Sequence, residues 1–454
     1  MNQEVFDARL QHFLRKMINY MTPEEQLQLK SVRSCNTKII PSGAAEDAVF
    51  LLRNDSNGGE AKFFGQVTCK NPWVCPHCSS LMMNHYRKRI VAAIDCLRDK
   101  KKPRKERKMA FMVSFAIPHL KELSCREVTD VLYNTWRTCF HMAFRNRKTT
   151  KGEFRPHNIF NSFFHEFNIK YYVRAAEITQ GVNGWHPHFH VLFWIPRKMR
   201  RKLNVDKWET ALNDYWFQKS KEEYKKYFVQ QDLYTSDLQE TFIHNMYGDK
   251  VVERRKTYEK HKNQSVTFSR YDDGFVRESV TSDYLCGWGA DRELTGNQKK
   301  EATHSEHKTP YQLLENAANG DMRDWGRYRE FLFALTAKPA HHRVKFARGM
   351  NKMIDEWIHS EGSVSSRKKK QEEVQKEWKL FAWFTKPQWW SLCDLDRNSP
   401  VLSNILCLAA LNRKDLLKDY LASLNIDLIE RPHFLGMHVQ NIFNHCCRGD
   451  TQAG

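Results

Sequence analysis

The chain of 454 residues carries a large excess of basic side chains, with 73 Lys and Arg against 53 Asp and Glu and a formal charge of +20. This excess predicts attraction to a polyanion, most simply a nucleic acid. The composition, 41% hydrophobic and 28% charged, excludes a largely disordered chain. No segment has the length and apolarity of a membrane span, so we expect no membrane partner.

The N-terminal residues lack the basic start and apolar core of a secretion signal. The 12 cysteines do not follow the spacing of a small disulfide-rich protein. We therefore expect a cytoplasmic protein whose clustered cysteines bind a metal rather than form disulfides.

Hydrophobic periodicity divides the chain into three predicted regions. Residues 1–105 combine an amphipathic helix at 4–31, a cysteine-containing segment to residue 80 and a helix at 81–97. Residues 106–300 contain a strand at 109–117, a helix at 124–146, a hairpin, a further helix and a loop-rich insertion at 217–280. Residues 301–454 are predicted to be mostly helical. The order strand, helix, hairpin, helix predicts an α+β domain with helices packed on an antiparallel sheet.

The first region contains a cysteine cluster with the spacing of a thiolate metal site. Cys75 and Cys78 form a close pair six residues after Cys69, and Cys35 lies 34 residues further upstream. Four thiolates bind zinc tetrahedrally and leave no open position, so such a site is structural. We expect Cys35 as the fourth ligand, with His77 and His85 as the competing candidates.

A short apolar run in the second region presents three histidines at alternate positions. In a β-strand, His186, His188 and His190 project from one face, while Trp185 and Phe189 project from the other. An apolar face anchors such a strand on a core, and the imidazole row supplies metal ligands. The sequence therefore predicts a metal site on this strand.

The preceding strand-like segment, residues 169–179, supplies a carboxylate. The loop between the two runs contains Asn183-Gly184, which is a strong hairpin signal. A turn centred on Val182-Asn183 places Glu177 opposite His188, whereas a turn centred on Asn183-Gly184 places Glu177 opposite His190. Directly opposed residues share a face, so both registers put Glu177 beside the histidines. Two imidazoles and one carboxylate leave coordination positions open for a substrate.

These motifs resemble the rolling-circle replication initiators of bacterial plasmids and phages, in the HUH endonuclease superfamily. The name describes a His-hydrophobic-His motif, here His188-Phe189-His190. The resemblance extends over residues 35 to 350, and the histidine motif is its most specific part. The segments that carry it are residues 69–78, 111–117, 177–179, 185–192 and 284–288, with weaker patterns at 309–314 and 346–350.

The resemblance implies an HUH nuclease domain and a site-specific nick in single-stranded DNA at a replication origin. His188, His190 and Glu177 would hold Mg²⁺ or Mn²⁺, and His186 would support them as a neighbouring or substrate contact. Tyr284 would be the nucleophile, leaving a 5′-phosphotyrosyl link and a free 3′-hydroxyl. The implied partners are single-stranded and duplex origin DNA, a host helicase and a polymerase.

The chain departs from the family at one position near the nucleophile. Related proteins often carry a lysine one helical turn after the tyrosine, and this chain has Gly287 there. Lys299, Lys300 or Arg292 would have to replace it in space, or a different tyrosine would be the nucleophile.

Three other functions fit part of the same pattern. A single-strand transposase of the same superfamily would use the same chemistry, although no paired tyrosine follows Tyr284 by one turn. An iron oxygenase with two histidines and a carboxylate would leave the +20 charge unexplained. A zinc-containing DNA-binding protein without enzymatic activity would leave the histidine row without a role.

Overall fold

The computed structural model describes residues 3–40, 48–55, 59–98, 103, 106–119, 121–141, 143, 154–230, 265–268, 307–336, 341–361 and 378–429. Helices and strands alternate along these residues, and all strand pairs are antiparallel. The predicted α+β class is therefore confirmed at the level of mixed helices and antiparallel sheet.

The helices, in chain order, are α1 (Gln3–Asn19), α2 (Pro23–Gln28), α3 (Lys30–Arg33), α4 (Pro76–Arg98), α5 (Cys125–Phe140), α6 (Ile159–Glu166), α7 (Val205–Gln230), α8 (Pro310–Ala318), α9 (Met322–Thr336), α10 (Met350–Glu361), α11 (Lys386–Leu395), α12 (Val401–Ala410) and α13 (Lys414–Ser423). The strands are β1 (Ala48–Asn54), β2 (Glu60–Phe64), β3 (Lys108–Ala116), β4 (Tyr171–Gly181), β5 (Gly184–Pro196), β6 (Val266–Phe268), β7 (Val344–Phe346) and β8 (Trp378–Thr385). A 3₁₀ helix, Arg197–Lys202, follows β5.

The chain forms two compact units whose boundaries differ from the three predicted regions. The terminal unit combines Met1–Ser79 with Gly362–Gly454, and the central unit is Ser80–Glu361. The two ends of the chain belong together because β8, near the C-terminus, pairs with β1. Periodicity within either segment carries no information about this pairing.

The terminal unit is built on a three-stranded sheet in the order β2-β1-β8. One face of the sheet packs on the helices that follow β8, with Leu51, Phe384, Trp389 and Ile405 in the core. The described part of the region predicted to be mostly helical, residues 301–454, thus contains two strands as well as helices, β7 in the central unit and β8 here. The segment 378–385 extends as β8 because it completes the sheet begun by β1 and β2.

The central unit is built on a five-stranded sheet in the order β6-β3-β5-β4-β7. One face carries a closely packed aromatic core, in which Phe115 contacts Trp136 of α5 and Trp216 of α7. On the other face, Met112 and Leu192 pack with Ile94 of α4 and with α10. Side chains alternate along each strand, so residues 114, 188 and 190 project from this second face, beyond the part that α4 and α10 cover.

Two predicted elements have different boundaries in the structure. The helix predicted at 4–31 is divided into α1, α2 and α3, because Thr22 caps α2 through a capping box with Glu25 and Pro23 begins the new helix. The segment predicted as a loop-rich insertion at 217–280 begins with the second half of α7 and includes the short strand β6. Among the described helices, none combines enough length and apolarity to cross a lipid bilayer.

Candidate functional site

The hairpin of β4 and β5 fixes the position of the histidine row. Gly181 pairs with Gly184, which leaves Val182-Asn183 as the two-residue turn and places Glu177 directly opposite His188. Gly184 has a φ of 91°, a conformation that glycine adopts without steric cost. The first of the two predicted registers is therefore the one observed, and the carboxylate lies on the histidine face.

Three donor atoms converge at the end of this hairpin. Glu177 Oε2 lies 2.5 Å from His188 Nε2 and 3.0 Å from His190 Nε2, and the two imidazole nitrogens are 2.9 Å apart. Donors about 2.1 Å from one octahedral cation lie about 3.0 Å from each other, whereas tetrahedral geometry separates them by about 3.4 Å. The three donor atoms are thus close enough to act as adjacent ligands of one cation.

Glu177, His188 and His190 form what we call the donor trio, and the electrostatics of this trio favour an ionised carboxylate on Glu177. Burial by itself would raise the pKa of Glu177, but the charge of His188 and hydrogen bonds from both imidazoles hold that pKa at about 2. Burial acts to lower the pKa of His188, and the adjacent Glu177 raises it above its ordinary value. The side chain of His188 is 13% exposed and that of Glu177 is 6% exposed, so the approach to the trio is at His188.

A serine on the neighbouring strand orients one of the histidines. Ser114 of β3 pairs with His190 across the sheet, and its Oγ lies 2.8 Å from His190 Nδ1. If Nε2 binds a cation, the ring proton of His190 resides on Nδ1 and is donated to Ser114. Sequence reasoning missed this residue. The sequence feature that could have identified Ser114 is a polar side chain within the otherwise apolar part of strand β3.

His186 lies on the same face but outside the donor trio. Its ring centroid is 5.0 Å from that of His188, 4.7 Å from His119 and 6.1 Å from His307. Burial, with the nearby His188 and His119, lowers the pKa of His186 well below its ordinary value, so this imidazole is neutral at pH 7. His119 and His307, which sequence reasoning did not select, extend the imidazole surface beside the trio.

The segment after residue 306 returns to the tip of the same hairpin. The backbones of Gln180 and Lys308 exchange two hydrogen bonds, of 2.8 Å and 2.7 Å. The ring of His307 lies so close to Gly181 that a side-chain Cβ there would approach it to 2.6 Å. A glycine at position 181 is thus required for His307 to pack beside the site.

The four predicted cysteines form a second cluster, in the terminal unit. The Sγ atom of Cys78 lies 3.6 Å from that of Cys35 and 3.4 Å from that of Cys69, and Cys75 Sγ lies 3.6 Å from Cys35 Sγ. Four sulfurs about 2.3 Å from a tetrahedral zinc ion lie about 3.8 Å apart, whereas a disulfide would join two of them at about 2.05 Å. The spacing fits a zinc site, and all four thiols are free.

Local backbone structure brings these thiols together. Cys75 immediately precedes α4 and Cys78 lies in its first turn. Asn36 and Lys70, which follow Cys35 and Cys69, both have positive φ, so the chain turns sharply after each of these cysteines. His77 and His85 are not among the residues whose donor atoms converge in the described part of the chain.

Buried polar side chains surround the thiol cluster. Gln11 of α1 accepts a hydrogen bond from Cys75 Sγ at 3.3 Å, and Arg15 donates to the carbonyl of Cys35 at 2.9 Å. Burial raises the pKa of Cys75, whereas hydrogen bonds from neighbouring thiols lower the pKa of Cys78. A divalent ion bound by these sulfurs would favour their thiolate forms.

The predicted nucleophile lies outside the described residues. Tyr284, the departure at Gly287 and the possible substitutes Arg292, Lys299 and Lys300 all fall between residues 269 and 306. The described residues on either side of this interval are Phe268, at the end of β6, and His307, beside the hairpin tip.

Comparison with known proteins provides no relative for this chain. No family model, no curated protein and no solved structure matches it.

Proposed function

We propose that the chain is a metal-dependent DNA nickase and strand transferase of the HUH type, which initiates rolling-circle replication. One observation carries this proposal: the donor atoms of Glu177, His188 and His190 converge within 3.0 Å of one another on an antiparallel hairpin. The motif His188-Phe189-His190 and the basic charge of the chain support it.

The donor set is suited to a hard divalent cation. A cation held by Glu177, His188 and His190 would polarise a phosphoryl oxygen of the scissile phosphate as a Lewis acid. The ionised Glu177 supplies an oxygen ligand, and Ser114 holds the ring of His190 in the orientation that directs Nε2 inward. Because both imidazoles and the carboxylate would lie on one side of such a cation, its opposite side is left for the DNA phosphate.

We assign the nucleophile to Tyr284 on the resemblance stated above. In the cleavage step, the Tyr284 oxygen bonds to phosphorus and the bond from phosphorus to the 3′-oxygen breaks. The phenolic proton is lost to solvent and the 3′-oxygen gains a proton. The phosphodiester bond energy is retained in the tyrosyl ester, so the strand can be rejoined later.

Chain connectivity is compatible with this assignment. Tyr284 is 16 residues from Phe268 and 23 residues from His307. Thr267 of β6 pairs with Ser114, and His307 packs at Gly181, so both flanks lie next to the donor trio. Sixteen residues span up to about 53 Å when extended, so the tether does not restrict the reach of the tyrosine.

We infer that the four cysteines of the terminal unit bind a structural Zn²⁺. A closed set of four thiolates has no position for a substrate, so this ion would stabilise the fold and take no part in cleavage. The described residues between α3 and α4 form the short strands β1 and β2, and a segment with so little regular structure is one that a metal site commonly stabilises.

A labelling experiment tests the proposed reaction and its polarity. The full chain is incubated with Mn²⁺ and a random pool of single-stranded 40-mers that carry a 5′ label or a 3′ label. A 5′-phosphotyrosyl link transfers the 3′-labelled fragment to the protein in a denaturing gel and releases the 5′-labelled fragment with a free 3′-hydroxyl. Tyr284→Phe should abolish the adduct, and Tyr20→Phe, at a tyrosine that is 77% exposed, should not.

The possible outcomes separate the alternatives. No adduct from the wild-type chain would contradict enzymatic nicking and favour a DNA-binding protein that contains zinc. An adduct that persists in Tyr284→Phe would assign the nucleophile to another residue. A transposase would additionally join two different strands that each carry an end of the mobile element.

A further inference from the structure

One end of the central sheet carries a cluster of exposed and half-buried basic side chains, which we call the basic end. It comprises Arg107, Lys108, Lys170 and the 3₁₀ helix Arg197–Lys202. Lys108 pairs with Pro196, the residue before this helix, and the residue after Lys170 pairs with Trp194. The backbone N–H of Arg197 donates to the carbonyl of Arg107 at 3.1 Å, so the two segments are in direct contact.

The basic end has many more cations than acidic neighbours. Five of the six residues in the sequence RKMRRK of the 3₁₀ helix are basic, and all five are exposed. The acidic residues adjoining the cluster in sequence are Glu106, Glu166 and Asp206. Burial and the charge of Lys170 together lower the pKa of Lys108, so these two ammonium groups lie close enough to repel each other.

Four of these cations have no ion pair in the described part of the chain: Arg197, Lys198, Arg201 and Lys202. An ordinary soluble surface mixes both signs of charge, because a large single-sign field costs free energy through self-repulsion. A cluster of one sign at a sheet end therefore indicates an anionic partner that offsets this repulsion.

Strand β5 connects the donor trio to the basic end and gives the distance between them. Along β5, eight residue steps separate His188 from Pro196. At about 3.4 Å per residue in an antiparallel strand, the distance is about 27 Å. A DNA duplex advances about 3.4 Å per base pair, so this distance corresponds to about eight base pairs.

We propose that the basic end binds the phosphate backbone of duplex DNA about eight base pairs from the strand segment held at the donor trio. This proposal rests on the proposed function in its choice of DNA as the polyanion. The 3₁₀ helix carries five exposed cations within six residues, a density that suits contact with phosphates of successive nucleotides. Such contacts position the DNA without reading its sequence.

The test compares two variants of the full chain that have the same net charge. The first carries R197Q, K198Q, R201Q and K202Q at the basic end. The control carries K121Q, R323Q, R348Q and K352Q, which are exposed cations elsewhere in the central unit. Circular dichroism and thermal melting establish that both variants are folded. Binding of a labelled 20-base-pair duplex is measured by fluorescence anisotropy over a range of salt concentrations.

We expect the basic-end variant to bind the duplex at least tenfold more weakly than the wild type. The slope of log K against log salt should become shallower by about 2 to 4, since each lost phosphate contact contributes about 0.9. The control should keep its slope to within about 1. Equal losses in both variants, or an unchanged slope in the basic-end variant, would overturn the proposal.

Two further measurements separate this proposal from the nickase. Cleavage of a 12-nucleotide single strand with Mn²⁺ should be equal in the basic-end variant and in the control variant, since both lose the same net charge and this strand can be held at the trio without contact with the basic end. If the wild-type chain cleaves nothing, the nickase proposal fails, and the duplex measurement still decides the role of the basic end. Selective loss of binding to vesicles with anionic lipid, with duplex binding intact, would assign this surface to membranes instead and overturn the proposal.

Discussion

Replacement of Ser114 by alanine should weaken metal binding at the proposed site of Glu177, His188 and His190 without unfolding the protein. Ser114 Oγ lies 2.8 Å from His190 Nδ1, and the histidine is 4% exposed. The substitution removes the acceptor that fixes the tautomer and the ring orientation of His190. Loss of such a partner in the outer shell of a metal site typically costs about 10-fold to 100-fold in affinity, or about 1.4 to 2.7 kcal/mol.

Isothermal titration of the zinc-loaded chain with Mn²⁺, with electron paramagnetic resonance as a second readout, would measure this effect. Ser114→Ala should raise the Kd for Mn²⁺ by at least tenfold. Ser114→Thr keeps the hydroxyl in the strand and should remain within about threefold of the wild type. The melting temperatures of the two variants provide the control for folding. A Kd in Ser114→Ala within twofold of the wild type would refute the role assigned to this hydroxyl.

Three other substitutions test the electrostatics, the zinc site and the core. Without Mg²⁺ or Mn²⁺, the lowered pKa of Glu177 stabilises the fold above pH 4.5, and the raised pKa of His188 stabilises it below pH 6.5. Glu177→Gln should thus destabilise the protein most between pH 4.5 and pH 6.5, where urea unfolding should show a loss of at most about 3 kcal/mol. If the difference in unfolding free energy between this variant and the wild type were constant from pH 3 to 9, the pairing of Glu177 with His188 would be contradicted. Cys78→Ser should lower the zinc content by one ion per chain in a chelator release assay, whereas Cys96→Ser, at a buried cysteine outside the cluster, should retain it. Phe115→Ala removes a fully buried ring that contacts Trp136 and Trp216. It should lower the unfolding free energy by about 3–5 kcal/mol, and a loss below about 1 kcal/mol would show that this core is not tightly packed.

The hairpin that holds the donor trio was accessible to prediction because its determinants are local. Alternation along residues 184–196 assigned the histidines to one face, and the Asn183-Gly184 signal located the turn. Only the structure selected the register that places Glu177 opposite His188. Moving the turn by one residue changes the partner of Glu177 by two residues, from His188 to His190, and so keeps the carboxylate on the same face; the pattern alone could not choose between the two.

The cysteine cluster was predictable in part for the same reason. Cys75 and Cys78 lie on one turn, and their spacing restricts the distance between the two thiols. The contribution of Gln11 and Arg15 was not predictable, since both belong to a helix more than 50 residues before Cys75. Helical periodicity marks Gln11 and Arg15 only as polar residues of α1, yet both are buried.

The sequence by itself determined the α+β class, the face that carries the histidines and the identity of both groups of metal-binding candidates, because these depend on periodicity and on short spacings. The tertiary structure decided which residues from distant parts of the sequence complete the sheets and the candidate sites. It brought Ser114 to His190 from 76 residues away, joined β8 to β1 and gathered basic residues from three segments at one sheet end. These contacts depend on strand pairing across long loops. Pairing is governed by the free energy of the whole core, and a local window of sequence does not contain that information.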